Sequence, residues 1–287
     1  MMMQAGTEQL GHLVREIRRP EWHLRRLVAA TALMLLGFGA QASAETIDVR
    51  HIIKAEGNQT TVVVERQSDG QVWISNPTRA EQRFSPASTS KIPHTLIALE
   101  NGIATTDTVF AWDGFPKGAA AWNQDQTLAS AFERSAVWVY QQITRTAGQH
   151  TMSQGLAQFD YGNQAIGTAD HLTRYWLDGT LQISAVEQVA FLKRLAQQDF
   201  ALSPSTYAAA LGIMVSDRGD AWVMRSKTGW RHSDTEMDIG WFVGWLDCAD
   251  ETYVFALNMD IPNRSHLAKR KDVAYAVLRD IGAFDCG

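Results

Sequence analysis

Ser85-Pro86-Ala87-Ser88-Thr89-Ser90-Lys91-Ile92-Pro93-His94 is the stretch on which the reading of this chain turns. A small, polar run passes into Ile92, Leu96, Ile97 and Leu99, whose spacing predicts a helix beginning near Ser88. Residues three apart share a helix face, so Ser88 and Lys91 stand side by side. Backbone N–H groups at a helix N-terminus favour developing negative charge, and a lysine with a lowered pKa can act as a base. The pair has the makings of an activated nucleophile. It equally fits an N-capping serine with a solvated lysine one turn on, so partners elsewhere must decide. Pro93 falls late for a first helical turn, which predicts a 3₁₀ or kinked start.

Outward from that helix, residues 60–67 and 71–75 cluster β-branched side chains around Ser68-Asp69-Gly70 and read as a hairpin. Residues 123–131 lead into a helix over 132–145, where Val137, Tyr140 and Ile143 repeat at helical spacing. The stretch 148–179 reads as loop-rich with short helices. Ser184 with Glu187 and Gln188 behind it opens a helix to Leu195, and another covers 203–214. Three strands follow at 221–228, 238–247 and 252–260, the last two joined by a short turn as in an antiparallel meander. A helix near 267–281 closes the chain. No βαβ rhythm is present, so the class is α+β: an antiparallel β-sheet flanked by terminal helices, plus a mainly helical subdomain. The α/β part comprises 45–100 and 205–287, and the helical part about 101–204.

The net charge of −5, with no basic block beyond the N-terminus, argues against a nucleic-acid partner. Residues 1–44 read as a signal peptide that is removed. Arg15, Arg18, Arg19, Arg25 and Arg26 precede the apolar run 27–40, and Ala42-Ser43-Ala44 is a cleavage site. The run is too short and too rich in Gly and Ala for stable membrane insertion. Cleavage removes five arginines and three glutamates, taking the net charge to −7. Export places Cys248 and Cys286 in an oxidising compartment. A fifteen-residue helix returns about 22 Å of a strand roughly 30 Å long, and the tail can cover the remainder. A Cys248–Cys286 disulfide is thus geometrically open, with two free thiols the alternative. The eight histidines are scattered without ligand spacing, which predicts no metal site. The oligomeric state is unmarked.

Other short motifs fall where a serine acyl-transfer site needs them. Lys227-Thr228-Gly229, at the end of the first meander strand, sets an ammonium and a hydroxyl at its rim, and the glycine leaves room for a ligand. The backbone N–H of Trp230 can join that of Ser88 as an oxyanion hole. Ser135, on a helical segment, offers a second hydroxyl. With PASTSK (86–91), SAV (135–137), YGN (161–163), YWLDG (175–179), KTG (227–229) and GWFVGW (240–245), the mature chain resembles a class D (oxacillinase-type) serine β-lactamase. That resemblance implies the penicillin-recognising, β-lactamase-like fold and an exported, periplasmic hydrolase of penicillins, oxacillin-type substrates included, conferring antibiotic resistance.

The resemblance also implies roles. Ser88 is the acylated nucleophile. Lys91, as N6-carboxylysine formed with CO2, is the base, with Val137 and Trp176 forming the carbamate pocket. No other cofactor is implied. Ser135 relays a proton to the leaving nitrogen, and the catalytic Lys227 orients the substrate with Thr228 and shapes the electrostatics. Gly229 and Trp230 also bind the β-lactam, and Arg270 binds its carboxylate. Solvated lysine is cationic at neutral pH, so burial must depress its pKa before CO2 can add. Each residue has a plainer reading: Trp176 as one of ten core tryptophans, Ser135 as an ordinary helix serine, Arg270 as one of three neighbouring cations. His94, three residues past Lys91 on the nucleophile helix, reads as packing or as support for the residues around the base. Where the family commonly has Phe, this chain has Ser90, a polar residue that can alter the dryness of the base pocket. A sensor acylated without turnover and a peptidoglycan D,D-peptidase share the same motifs.

Overall fold

The computed structural model describes residues 46–53 and 59–286, so residues 1–44, read above as a signal peptide, lie outside the described residues. The chain runs through β1 (Ile47–Asp48), β2 (Thr60–Arg66), β3 (Val72–Ile74), α1 (Pro77–Ala80) and α2 (Lys91–Glu100). Next come β4 (Val109–Phe110), β5 (Gln126–Thr127), α3 (Leu128–Glu133), α4 (Val137–Gln158), α5 (Ala185–Ala196) and α6 (Pro204–Ile213). It closes with β6 (Val215–Arg218), β7 (Trp222–Arg231), β8 (Asp238–Cys248), β9 (Glu251–Ile261) and α7 (Lys269–Asp280).

A mixed sheet of seven strands in the order β1-β3-β2-β9-β8-β7-β6 is the frame. All its pairings are antiparallel except β1 with β3. Both faces are covered, which explains why β8 and β9 read as near-continuous apolar runs. Alternate residues serve opposite layers. Val63, Trp241, Val243 and Ala256 pack with α2, α4 and α5 on one side. Val62, Val64, Phe242, Leu257 and the α7 residues Ala274, Val277 and Leu278 form the other. The architecture is the expected α+β. Within 101–204, α5 packs directly on β2, β8 and β9.

Local chemistry accounts for most element ends. Ser184 and Glu187 close a capping box at α5, and Ser203 caps α6 ahead of Pro204. Three local readings need correction. The helix expected over 132–145 is two helices broken at Ser135, whose φ of 58° is left-handed and stops α3 before α4 begins. Continuing to Gln158 across a non-helical Gly148, α4 supplies one of the short helices expected within 148–179. Lys227-Thr228-Gly229 lies inside β7, not at its end, because pairing with β8 runs on to Arg231. Finally, β6 adds a short edge strand beside Val223–Arg225.

Cys248 and Cys286 form a disulfide with Cα atoms 5.1 Å apart, joining the end of β8 to the tail beyond α7. Among the described residues no helix is long and apolar enough to cross a membrane.

Candidate active site

Pro93 has no N–H to give the Thr89 carbonyl, so a regular α-helix cannot begin as early as Ser88. The chain therefore enters α2 through a 3₁₀ turn, Ala87–Ser90, as the sequence predicts. Ala87 adopts a left-handed φ of 48° just ahead of Ser88. Three contacts hold the turn. The Trp176 carbonyl accepts from the Ser85 hydroxyl at 2.8 Å and from the Ala87 N–H at 3.0 Å. The Trp241 indole N–H donates to the Ser85 carbonyl at 2.9 Å. A candidate nucleophile is thereby tied both to β8 and to the loop carrying Trp176.

Lys91 Nζ lies 3.0 Å from Ser88 Oγ, as the spacing predicts. The lysine side chain is wholly buried. Burial, assisted by the charge of Lys227, drives its pKa well below the ordinary lysine value. Its Nζ stands 5.0 Å from the centre of the Tyr140 ring, and no carboxylate pairs with it among the described residues. Trp176 is fully buried, yet its Nε1 has no hydrogen-bond partner. A buried, neutral-prone amine with no anion and a spare indole N–H nearby in the fold fits the CO2 adduct that the resemblance implies. Val137 opens α4 and is half-buried. Ser90 is buried too, but its hydroxyl donates to the Ala87 carbonyl at 2.7 Å, so its polarity is spent within the turn.

Opposite this turn runs β7. Its N-terminal half pairs with β6 through Val223–Arg225, and Ser226 N–H reaches the Met214 carbonyl. Beyond that point the Lys227–Arg231 edge has no strand partner among the described residues, so the edge is open. A Cβ at Gly229 would stand 2.9 Å from the Pro86 carbonyl oxygen and 3.1 Å from Thr89 Cγ2. Glycine there lets the strand approach the Ser88 turn and brings the Trp230 backbone alongside. Lys227, buried, reaches the Ser135 hydroxyl at 2.5 Å and the Thr228 carbonyl at 3.1 Å. Burial first, then the charges of Arg270 and Lys271, lower its pKa to about 7. The left-handed break at Ser135 thus turns its hydroxyl toward β7, which a serine inside a continuous helix would not do.

Arg270 arrives from α7. Its Nη1 donates to the Gly229 carbonyl at 2.6 Å and its Nε to the Leu267 carbonyl at 2.7 Å. It has no acid partner among the described residues, and burial lowers its pKa to about 10. Gly240 makes the path: a Cβ there would meet Arg270 Cδ at 2.9 Å. That role escaped sequence reasoning, although an isolated strand glycine is the signal for a close approach. The Tyr161 hydroxyl sits beside Gln188 and Thr89, and Asn163 bonds Thr180 and Gln182, ordering the loop that carries Trp176. A cavity of about 580 Å³ adjoins the open edge, bounded by Lys227, Thr228, Ser226, Phe132 and Lys271. Among the described residues no cluster of His, Cys, Asp or Glu could hold a metal ion.

A turn-borne Ser-x-x-Lys facing an open Lys-Thr-Gly edge defines the penicillin-recognising serine proteins. Accordingly, the model of the penicillin-binding protein transpeptidase domain matches residues 53–281. Within that class the chain belongs to the class D β-lactamases and is a β-lactam hydrolase. The OXA-3 β-lactamase of Pseudomonas aeruginosa is 42% identical over 227 residues, 78% of this chain and 80% of its own. OXA-48 of Klebsiella pneumoniae is 38% identical over 77% of this chain and 83% of its own. The crystal structure of the class D β-lactamase YbXI from Nostoc superposes with a TM-score of 0.79 at 36% identity, covering 82% of this chain and 99% of that one.

Proposed function

We propose that the chain is an exported, periplasmic serine β-lactamase of residues 45–287 that hydrolyses penicillins, oxacillin-type substrates included, and confers β-lactam resistance. The observation that carries this reading is Lys91 Nζ at 3.0 Å from Ser88 Oγ, wholly buried, with the Trp176 N–H unpartnered beside α2. Arg270 and Thr228 hold the substrate carboxylate. The Ser88 and Trp230 backbone N–H groups receive the lactam oxygen as it gains charge. Ser88 Oγ then bonds to the lactam carbon while the carbon–nitrogen bond breaks. The Ser88 proton leaves toward Lys91, and the Ser135 hydroxyl passes one to the departing nitrogen, replenished from Lys227. CO2 joined to the neutral Lys91 amine would supply an anionic base, which the Trp176 N–H is suited to hold. Water attack on the Ser88 ester then completes the hydrolysis.

Steady-state hydrolysis of benzylpenicillin and oxacillin in CO2-depleted buffer, with and without bicarbonate, tests the reading, together with intact mass after rapid quenching. Many turnovers, activity that rises with bicarbonate, and one substrate mass on the Ser88 peptide are expected. A one-equivalent burst without turnover makes the chain a sensor. Release of terminal D-alanine from stem peptides without penicillin hydrolysis makes it a D,D-peptidase. Bicarbonate independence removes the adduct on Lys91.

A further inference from the structure

Next to the candidate base lies a buried imidazole with no part in the steps above. His94, one turn past Lys91 on α2, is fully buried. Its ring meets Trp176 edge to face with centroids 4.9 Å apart and Tyr175 edge to face at 5.5 Å. Tyr175 and Trp176 meet each other edge to face at 5.0 Å. His94 Nε2 is 2.6 Å from the Tyr175 hydroxyl, while Nδ1 has no partner. Six buried side-chain polar atoms lack partners among the described residues, and two of them belong to this touching pair of rings: His94 Nδ1 and Trp176 Nε1.

The tautomer follows from counting hydrogen bonds. If Tyr175 O–H donates to Nε2, one group, Nδ1–H, is left unpaired. If Nε2–H donates instead, both the Nδ1 lone pair and the phenolic hydrogen are stranded, which costs more. Burial and the charge of Lys91 also lower the imidazole pKa to about 3, so the ring is uncharged at working pH. The backbone of Trp176 is pinned by Ser85 and Ala87, but those bonds leave the indole free to turn about its side-chain torsions. His94 and Tyr175 are the ring edges that stop it.

We propose that His94 is a positioning residue. As a neutral imidazole tied to Tyr175, it holds the Trp176 indole so that its N–H stays free for an anion on Lys91. It thereby sets the CO2 affinity of that lysine. The assignment rests on the adduct reading above and concerns only how tightly CO2 is held.

The test uses the full chain with His94→Ala and His94→Phe. Occupancy of Lys91 is followed by ¹³C NMR during titration with ¹³C-bicarbonate, beside thermal unfolding and kcat and KM for benzylpenicillin. Half-saturating bicarbonate should rise about two- to tenfold in His94→Ala, the range expected for losing an edge-to-face ring pair. KM should change little, and kcat should recover at saturating bicarbonate. His94→Phe keeps the ring contact and loses the Tyr175 bond, so its titration should fall between the two. It also carries the test should the alanine variant not fold. Titrations identical to wild type, with any lost kcat not rescued by bicarbonate, overturn the proposal. Absence of label on the wild-type lysine overturns the adduct reading itself, and the two failures are distinct.

Discussion

Lys227 Nζ stands 2.5 Å from Ser135 Oγ, linking the interior of β7 to the break between α3 and α4. With its pKa lowered to about 7 by burial and by Arg270 and Lys271, Lys227 is cationic below that pH and loses its charge above it. In the proposed role the cation feeds protons to Ser135. kcat/KM, which reports the free enzyme, should therefore fall as pH rises through about 7. Arg270→Met removes a positive neighbour, so the Lys227 pKa rises and the falling limb moves to higher pH, while KM increases. Rate profiles from about pH 5 to about 9 on both proteins measure this. A limb that stays in place would separate Lys227 from the descending step.

Gly229 and Gly240 should respond differently to the same substitution. A Cβ at Gly229 meets backbone, the Pro86 carbonyl oxygen at 2.9 Å, and cannot be accommodated without moving β7 off the Ser88 turn. Gly229→Ala should cost about 1–3 kcal/mol, or a Tm lower by roughly 3–10 °C, with kcat reduced as well. At Gly240 the obstacles are side-chain atoms and not backbone, Ile261 Cδ1 at 2.6 Å and Cγ1 at 2.8 Å and Arg270 Cδ at 2.9 Å, so the neighbours must repack while the strand can stay in place. Gly240→Ala should lower Tm less than Gly229→Ala, through overpacking against Ile261, and raise KM through a displaced Arg270. Calorimetry with steady-state kinetics distinguishes the two patterns, and equal KM effects would count against the Arg270 path.

These glycines also mark how far the sequence could be read. Ser88 and Lys91 were legible because three-residue spacing on a helix fixes a shared face whatever lies around it. Ser184 and Glu187 were legible because a capping box is local chemistry. The break at Ser135 was not, since Val137, Tyr140 and Ile143 extend their helical period back to Phe132 and a serine gives no sign of a left-handed φ. Likewise β6 is four mostly exposed residues, without the alternation that burial imposes on a strand. Lys227-Thr228-Gly229 looked like a strand end because its polar residues interrupt an apolar run, whereas they face the cleft from mid-strand. Gly240, a strand glycine that signals a close approach without saying of what, and His94, readable only as packing or support, depend on the tertiary fold to bring their partners beside them.

Lys91 should burden the fold it serves. It is fully buried with no carboxylate partner among the described residues, and its pKa is driven down by desolvation. The unfolded chain, with an ordinary lysine pKa of about 10.4, binds that proton more readily. Stability therefore rises with pH between the folded and unfolded values, and the cost is full below the folded value. Lys91→Met should raise Tm at pH 7 in CO2-depleted buffer by about 3–10 °C, with the gain shrinking toward pH 10 and hydrolysis lost. Bicarbonate should stabilise the wild type and leave the variant unchanged, because only the amine can bind CO2. A variant less stable than wild type at neutral pH would show that the lysine is not penalised by its burial.

The Cys248–Cys286 bridge should matter to stability and not to rate. It closes a sequence separation of 38 residues, which on a chain-entropy estimate limits the unfolded state by about 4 kcal/mol. For a chain of this size that corresponds to a Tm lower by roughly 8–16 °C once the bond is removed. The bridge lies in the α7 layer with Phe242 and Leu257. The Ser88 turn leads into α2, which packs on the opposite face of the sheet. A Cys248→Ser, Cys286→Ser double variant, or the wild type under reductant, should therefore unfold earlier yet keep kcat and KM for benzylpenicillin at 25 °C. β8 stays paired along its whole length with β7 and β9, so the strands hold their register without the bridge. A loss of kcat at unchanged Tm would mean that the tail beyond α7 steers Arg270, the residue of that helix that reaches the open edge of β7.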